Sequence, residues 1–459
     1  MRRPLPRRAP SRRALLVVLI LLAALALRVA QVQRTSYQPI NDASSYLNLA
    51  SQVANTGAYS TGHVPPGAGG TQGPSAYFPP GFPYFLAAVD LVDGQTTSGR
   101  GSVEPARISQ AVLGTIVVVL IGLVALEAFG ETVALFALGL AAVYPVFIAL
   151  SAVLVAENLM TALILAAIWA GLRARRSPHP YRWIAAAGAF TGLATLTHVN
   201  AIILVVPLAV AAWRARPSLR APGLLLAMAV LVLTPWIVRD AVVMHRFIRV
   251  TDEDGITLRG TYNPSSAHDP QVPYRWRLYT GIPEDRQLAS QASRLTEPEL
   301  SDRLRSRAFD YIGNHPLSPF EVFYRNTRRM LELEGSRAWK ISASSIDVPI
   351  ATARIGVFSF WLLCLLALAG AFTQAVRRGP RWLWLAPVLL WLSAALVNGE
   401  TPRFREPIDP FLILLAACAL TAAARALEVR LRGAPVRGEG GRPVPAGATE
   451  GVQVGQGLP

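Results

Sequence analysis

Ile40-Asn41-Asp42-Ala43-Ser44-Ser45-Tyr46 opens a polar stretch, residues 31–105, that also holds Tyr77-Phe78-Pro79-Pro80-Gly81-Phe82-Pro83. After Asp42, the residues Tyr46, Leu49, Ala50 and Val53 recur at i, i+3, i+4 and i+7, which predicts a short amphipathic helix. Runs apolar enough to cross a bilayer flank the stretch, so the helix is expected to rest on a membrane surface. Asp42 then stands at the lipid–water boundary. The ordinary role of an Asp at a helix start is an N-cap, and a helix N-terminus also keeps a carboxylate ionised. Polar residues elsewhere in the chain set Asp42 apart from that ordinary role.

The chain of 459 residues is 52% hydrophobic and only 16% charged, which excludes an ordinary soluble domain. A net charge of +16 would suggest nucleic acid in a soluble protein. Here the arginines mostly flank apolar runs, so they orient the chain in a membrane and no nucleic-acid partner is expected. Lys340 is the only lysine. Cys364 and Cys418 both lie inside apolar runs, which gives neither a disulfide framework nor a thiolate metal site.

Arg2, Arg3, Arg7, Arg8, Arg12 and Arg13 precede the apolar run 14–27; no small-residue cleavage site follows, which predicts an uncleaved first span. Further spans are expected near 108–126, 133–150, 152–172, 183–197, 199–213, 221–238, 355–376, 382–397 and 406–427. With a cytoplasmic N-terminus, alternation puts every short Arg-rich loop on the inner side: Arg173, Arg175 and Arg176; Arg214, Arg216 and Arg220; Arg377, Arg378 and Arg381; Arg425, Arg430 and Arg432. The stretch 31–105 and the segment 241–351 then face outward from the plasma membrane. The expected fold is mainly α, a polytopic protein of roughly ten transmembrane helices. The N-terminal membrane module spans 1–240, an outer domain 241–351 and the last membrane helices 352–430. The Gly/Pro-rich tail 431–459 is expected to be disordered.

Within the outer domain, 247–250 and 256–258 about the turn Asp252-Glu253-Asp254-Gly255 read as a hairpin, giving a small mixed α/β fold. Thr296-Glu297-Pro298-Glu299 reads as a capping box ahead of Leu300, Leu304, Ala308 and Tyr311. Ser318-Pro319-Phe320-Glu321 reads as a second, ahead of the apolar face Phe320, Phe323, Tyr324, Thr327 and Leu331, with Gly335 ending the helix.

The polar residues that interrupt or end apolar runs fall on the outer side. They are Glu157 inside a span, His198 and Asn200 at a junction, Arg239 and Asp240 at a span end, and Arg403 and Arg405 ahead of the last span. Ionisable groups at membrane depth are costly and tend to face a cavity or one another. Taken singly, the arginines also fit interfacial snorkelling and His198 fits packing. A carboxylate within a span requires a partner. No His, Cys or acidic spacing matches a metal-ligand pattern.

These residues resemble those of the GT-C glycosyltransferases of the protein O-mannosyltransferase and aminoarabinose-transferase type, over most of the chain and in matching order. Asp42-Ala43-Ser44-Ser45-Tyr46 resembles the family's first-loop acidic motif, and Phe78-Pro79-Pro80-Gly81-Phe82-Pro83 its Pro-Pro-x-x-Pro turn. Ala156-Glu157-Asn158-Leu159 is similar to its Glu-containing span. Pro235-Trp236-Ile237-Val238-Arg239-Asp240 is similar to its Pro-Trp-x-x-Arg-Asn span end, and Arg403-Phe404-Arg405-Glu406-Pro407 to its Arg-Tyr-x-x-Pro start of the last span. Two departures stand out: Ala43 replaces the second acid that many members carry, and His198 stands where members often have Arg.

The resemblance implies sugar transfer from a polyprenyl-phosphate carrier to a cell-envelope acceptor hydroxyl on the outer face, by inverting displacement. A phosphate ester leaves as a stabilised anion, so the chemistry needs a base and cations rather than the two carboxylates of glycoside hydrolysis. Asp42 is the expected base and Arg239, Arg403 and Arg405 the phosphate clamp. Tyr46, Glu157, His198 and Asn200 are expected to bind substrate, Glu157 through sugar hydroxyls or by holding an arginine. The lipid-linked sugar is a co-substrate and no cofactor is implied, with a divalent metal left open. The competing class is a transporter or flippase of lipid-linked sugars, against which stand the missing internal repeat and the two large outer segments.

Overall fold

The structure, a computed structural model, describes residues 12–60, 73–94 and 103–433. The basic cluster Arg2 to Arg8 and the tail expected to be disordered from 434 onward lie outside these residues. Leading the described residues is α1 (Arg12–Arg34), then two helices of the stretch 31–105, α2 (Asp42–Thr56) and α3 (Gly81–Asp93). The membrane module continues with α4 (Val103–Phe129), α5 (Glu131–Val143), α6 (Pro145–Leu150), α7 (Glu157–Ala174) and α8 (Pro180–Thr197). A 3₁₀ turn (Val199–Leu204) leads into α9 (Val205–Ala215), and α10 (Arg220–Val243) closes the module.

Among the described residues six helices, α1, α4, α7, α10, α17 (Ile350–Ala371) and α20 (Asp409–Gly433), are long and apolar enough to cross a membrane, which makes this a multi-pass membrane protein. The other expected spans come out shorter or broken. The run 133–150 breaks at Tyr144-Pro145, where the proline cannot continue the helix from α5. The run from 152 begins five residues late, at Glu157. Between α6 and α7 the chain is non-helical, and polar side chains take up its backbone groups. Arg107 Nε donates to the Ala152 carbonyl at 2.7 Å, Gln110 Nε2 to Val155 at 2.8 Å and Asn158 Nδ2 to Leu150 at 3.1 Å. The Leu154 N–H donates to the Tyr37 hydroxyl at 3.1 Å. Irregular backbone at membrane depth is tolerated only with such internal partners.

The segment 241–351 holds α11 (Asp254–Thr261), α12 (Pro264–Ala267), α13 (Arg286–Gln291), α14 (Glu297–Asn314), α15 (Ser318–Met330) and α16 (Ser336–Ser345). Among the described residues it contains no strand, so the expected hairpin and mixed α/β fold are corrected to an all-helical one. The acidic run Asp252-Glu253-Asp254 opens a helix, as negative charge at a helix N-terminus favours. Gly255 serves close packing rather than a hairpin turn: a Cβ there would stand 2.0 Å from the Ser301 carbonyl oxygen of α14. The Thr296–Glu299 capping box is present, and Leu300, Leu304, Ala308 and Tyr311 of α14 are buried. The second box is absent. Ser318 is the first residue of α15 rather than its cap, and the helix ends at Met330, well short of Gly335, which leads into α16.

The α2 helix does not lie free on a membrane. Tyr46, Leu49 and Ala50 are buried in one apolar cluster with Phe78, Phe82, Leu86, Ile256, Leu300 and Leu304, so its apolar face is covered by α3, α11 and α14. After α17, α18 (Gln374–Arg378) and a 3₁₀ turn (Arg381–Trp384) precede α19 (Leu385–Ala395), and a second 3₁₀ turn (Arg403–Arg405) precedes α20. Contacts group the residues up to Thr421 as one compact unit; the described residues from Ala422 are the last turns of α20, exposed as far as Leu431.

Candidate active site

Asp42 is the first residue of α2, and the cap position belongs to Asn41, whose side chain makes no capping bond. Asn41 takes a left-handed φ of 50° and donates from Nδ2 to the Ser345 carbonyl at 2.8 Å, which fixes where the helix begins. The Asp42 carboxylate is therefore free of a capping role. It accepts instead from Arg403 Nη1 at 2.7 Å. Arg403 Nε donates to Glu157 Oε1, so one guanidinium ties the start of α2 to the start of α7. These two bonds use two of its five N–H donors.

Exposure grades the three groups. The Asp42 side chain is 39% exposed, Arg403 13% and Glu157 not at all. A wholly buried carboxylate needs a cation, and the broken span supplies the place for it: Glu157 sits at the N-terminus of α7, where the helix dipole adds to Arg403. Its second oxygen, Oε2, has no partner among the described residues. Burial by itself would lower the Arg403 pKa, but Glu157 and Asp42 outweigh it and raise it well above the usual range. His198 joins the cluster through its charge coupling to Glu157, Arg403 and Asp42, with its ring edge-on to Phe404 at 6.2 Å and its Nδ1 buried without a partner. Tyr46 lies one turn on from Asp42, wedged against Phe78 at 4.8 Å and Phe82 at 5.0 Å. Burial first, then the Asp42 carboxylate, pushes its hydroxyl well above the usual range. The turn carrying those phenylalanines sits close on the end of α8: a Cβ at Gly81 would meet the Leu196 carbonyl oxygen at 2.9 Å.

Of the three arginines read as a clamp, only Arg403 comes to Asp42. Arg239 donates to the carbonyls of Ser75 at 2.6 Å and Tyr59 at 2.8 Å, pairs with Asp240 at 2.8 Å and stacks 4.7 Å over Trp236. It fastens Tyr59 and Ser75 to the end of α10. Arg405 is wholly buried between Glu332 at 2.9 Å and Asp409 at 3.1 Å, against the Phe360 ring. Asn200 is half-buried in the 3₁₀ turn ahead of α9.

Two carboxyls escaped the sequence reading. Glu253 is brought in because Thr251 donates from its hydroxyl to the Tyr77 carbonyl and the Asp252 N–H donates to the Ala76 carbonyl at 3.1 Å. This lays 251–253 along the stretch 31–105. Burial, then the Asp42 carboxylate, pushes Glu253 up to about 8, against the opposing pull of Arg403. Glu400 is raised by burial, with Arg403 opposing and Asp42 adding to the shift. The only sequence signal for Glu253 was the acidic run at a helix start, which had been read as a turn. Arg403 is thus bonded to Asp42 and Glu157 and coupled through charge to Glu253 and Glu400, and burial favours the neutral form of the last two. Among the described residues no three His, Cys, Asp or Glu are placed to hold a metal ion.

Residues 78–238 match the family model described as dolichyl-phosphate-mannose-protein mannosyltransferase, a segment holding Glu157 and His198 but neither Asp42 nor Arg403. No curated protein sequence matches the chain. Among solved structures, the Archaeoglobus fulgidus oligosaccharyltransferase AglB, in complex with an inhibitory peptide and a dolichol-phosphate, is 13% identical with a TM-score of 0.54. The match covers 94% of this chain and 52% of that one. The Archaeoglobus fulgidus oligosaccharyltransferase in complex with Zn and sulfate is 14% identical with a TM-score of 0.53, over 91% of this chain and 50% of its own. ArnT from Cupriavidus metallidurans, bound to undecaprenyl phosphate, is 16% identical with a TM-score of 0.40, over 91% of this chain and 80% of its own. The chain spans about half the length of the archaeal proteins it matches. Through the matched segment and the fold around it, the chain has the architecture of the GT-C class of glycosyltransferases.

Proposed function

We propose that this protein transfers a sugar from a polyprenyl-phosphate carrier to an acceptor hydroxyl at the outer face of the membrane, with Asp42 as general base. The observation that carries the reading is the Asp42–Arg403–Glu157 constellation: a solvent-reachable carboxylate held by a guanidinium that is itself held by a buried carboxylate. Glu157, kept ionised at the α7 N-terminus, fixes Arg403, and the remaining N–H donors of Arg403 bind the carrier phosphate as negative charge grows on it. Asp42 takes the proton from the acceptor hydroxyl in a single inverting displacement. Glu253 and Glu400 serve this step by staying neutral, since two further anions would repel the phosphate. Arg239 and Arg405 hold the frame instead of the phosphate.

In this reading ten helical units cross the membrane: α1, α4, the pair α5–α6, α7, α8, α9, α10, α17, α19 and α20. The N-terminus is cytoplasmic and the segment 241–351 is outside, shaping the acceptor side. The lipid-linked sugar is a co-substrate, and the acceptor is a lipid, glycan or protein of the cell envelope. Purified protein incubated with a panel of radiolabelled polyprenyl-phosphate sugars and membranes tests the proposal. Label moving to an acceptor supports it; label that crosses the bilayer still attached to its carrier makes the protein a flippase instead.

A further inference from the structure

The α15 helix has two opposed faces. On one, Val322, Asn326, Arg329 and Met330 are buried. Asn326 Nδ2 donates to the Ala395 carbonyl at the end of α19 at 2.9 Å, and Trp391 Nε1 donates to Thr327 Oγ1 at 3.3 Å. Trp361 of α17 donates to the Leu331 carbonyl, just past the end of α15, at 3.0 Å. The other face carries Leu317, Phe320 and Tyr324, spaced by three and four residues and 76%, 73% and 56% exposed. Amphipathicity alone predicts the reverse for Phe320 and Tyr324. An apolar row this open needs a cover, because it would otherwise hold aromatic surface in water.

The bonds to α17 and α19 indicate the cover. On α17, Arg354 is exposed at the head of the apolar run and Trp361 lies seven residues further in, about 10 Å along a helix. The end of α15 is therefore tied to α17 inside its apolar run, close to Phe358 and Leu362 in sequence, which are themselves exposed on a membrane-spanning helix. At that depth, which is also where interfacial helices bury their apolar faces, the medium is lipid rather than water. Arg325 and Arg328, both paired with Glu334, border the row on its polar side, and Arg328 lies 5.7 Å over the Tyr324 ring.

We infer that α15 is an interfacial helix whose partner is the outer lipid leaflet, with Leu317, Phe320 and Tyr324 seated at the acyl boundary. One link runs from this helix to the 3₁₀ turn that carries Arg403: Glu332, two residues past α15, holds Arg405. The inference rests on α17 and α19 entering the membrane and not on sugar transfer, so it stands or falls apart from the proposed reaction.

The test places nitroxide labels singly at Leu317→Cys, Phe320→Cys, Tyr324→Cys and the exposed Glu321→Cys, in the full chain carrying Cys364→Ser and Cys418→Ser and reconstituted in phosphatidylglycerol/phosphatidylethanolamine nanodiscs. Oxygen should relax the labels at 317, 320 and 324 more than a water-soluble nickel chelate does, with the order reversed at 321. Nickel-dominated relaxation at all four sites overturns the inference. So do labels shielded from both agents with dipolar coupling between molecules, because a second copy then covers the face. A photoreactive phospholipid added to wild-type protein gives the check without substitutions: it should modify residues 317–324 as well as α17, and modification of α17 alone refutes the seating.

Discussion

Arg403 and Arg405 lie two residues apart in one 3₁₀ turn, and each bridges two carboxylates, yet the two clusters are built for different ends. Arg405 stands with Glu332 and Asp409 in a closed triad whose side chains are at most 4% exposed. Arg403 is nearly as deep, but one of its carboxylates, Asp42, is 39% exposed. A closed triad can only hold chain segments together, here the end of α15 to the start of α20. An open one presents a charge to a substrate while its buried member keeps the cation in place. On the proposed reading, the proton transfer falls to the single exposed partner and the arginine keeps free donors for the phosphate.

The contrast is broken or sharpened first at Arg405, where the largest effect is expected. Arg405→Ala leaves Glu332 and Asp409 buried without their cation, and losing one member of such a cluster costs about 3–5 kcal/mol of stability. Thermal unfolding followed by tryptophan fluorescence should show a large fall in Tm; an unchanged Tm removes the distinction between the clusters. Next comes Asp42→Asn, which should lower transfer by at least about 10²-fold at wild-type Tm and donor affinity, as loss of a general base does. Since the carboxylate makes no capping bond, Asp42→Ala should be equally inactive. An Asn variant at the wild-type rate sinks the base assignment. A smaller effect is expected for Arg403→Lys, which keeps the charge but loses the fork geometry, weakening donor binding by about tenfold. Unaltered donor binding in that variant places the phosphate elsewhere.

Much of the open cluster was legible because charge inside apolar sequence is conspicuous: Glu157 needed a partner, and Asp42 and Arg403 lay on the same expected side. The difference between Arg403 and Arg405 was not. Both precede the last span and both carry the same charge; which one is closed in depends on where Glu332 falls, 73 residues earlier in sequence. Arg239 misled for a similar reason, since its partners are backbone carbonyls at Tyr59 and Ser75 that no side-chain pattern marks. In the membrane module, apolar length located the helices but not the break at 151–156, which is stabilised by Arg107, Gln110 and Asn158 from elsewhere in the fold. In the segment 241–351, Gly255 after an acidic run has the same local signature in a hairpin turn and in a tightly packed helix start. Only the facing Ser301 decides between them.

Glu253 provides the finest test of the open cluster, because its charge depends on pH in the working range. Burial, reinforced by Asp42, holds its folded pKa at about 8, whereas an unfolded Glu titrates near 4.3. Between those values the folded protein binds a proton that the unfolded chain has lost, so stability falls as pH rises. The contribution is fully present below the unfolded pKa and is lost as pH passes about 8. Function follows the same proton. Above about 8 a new anion appears beside Asp42 and opposite the carrier phosphate, so kcat/KM should fall on an alkaline limb centred near that value. Glu253→Gln, neutral at every pH, should flatten the stability slope and remove the limb, while keeping the neutral-pH rate within about threefold of wild type if the residue's role is to remain uncharged. Paired pH profiles of unfolding and transfer for the two proteins measure both. A limb that persists unchanged in the Gln variant assigns the titration to another group, with Glu400, also raised by burial and also coupled to Asp42 and Arg403, the next to substitute.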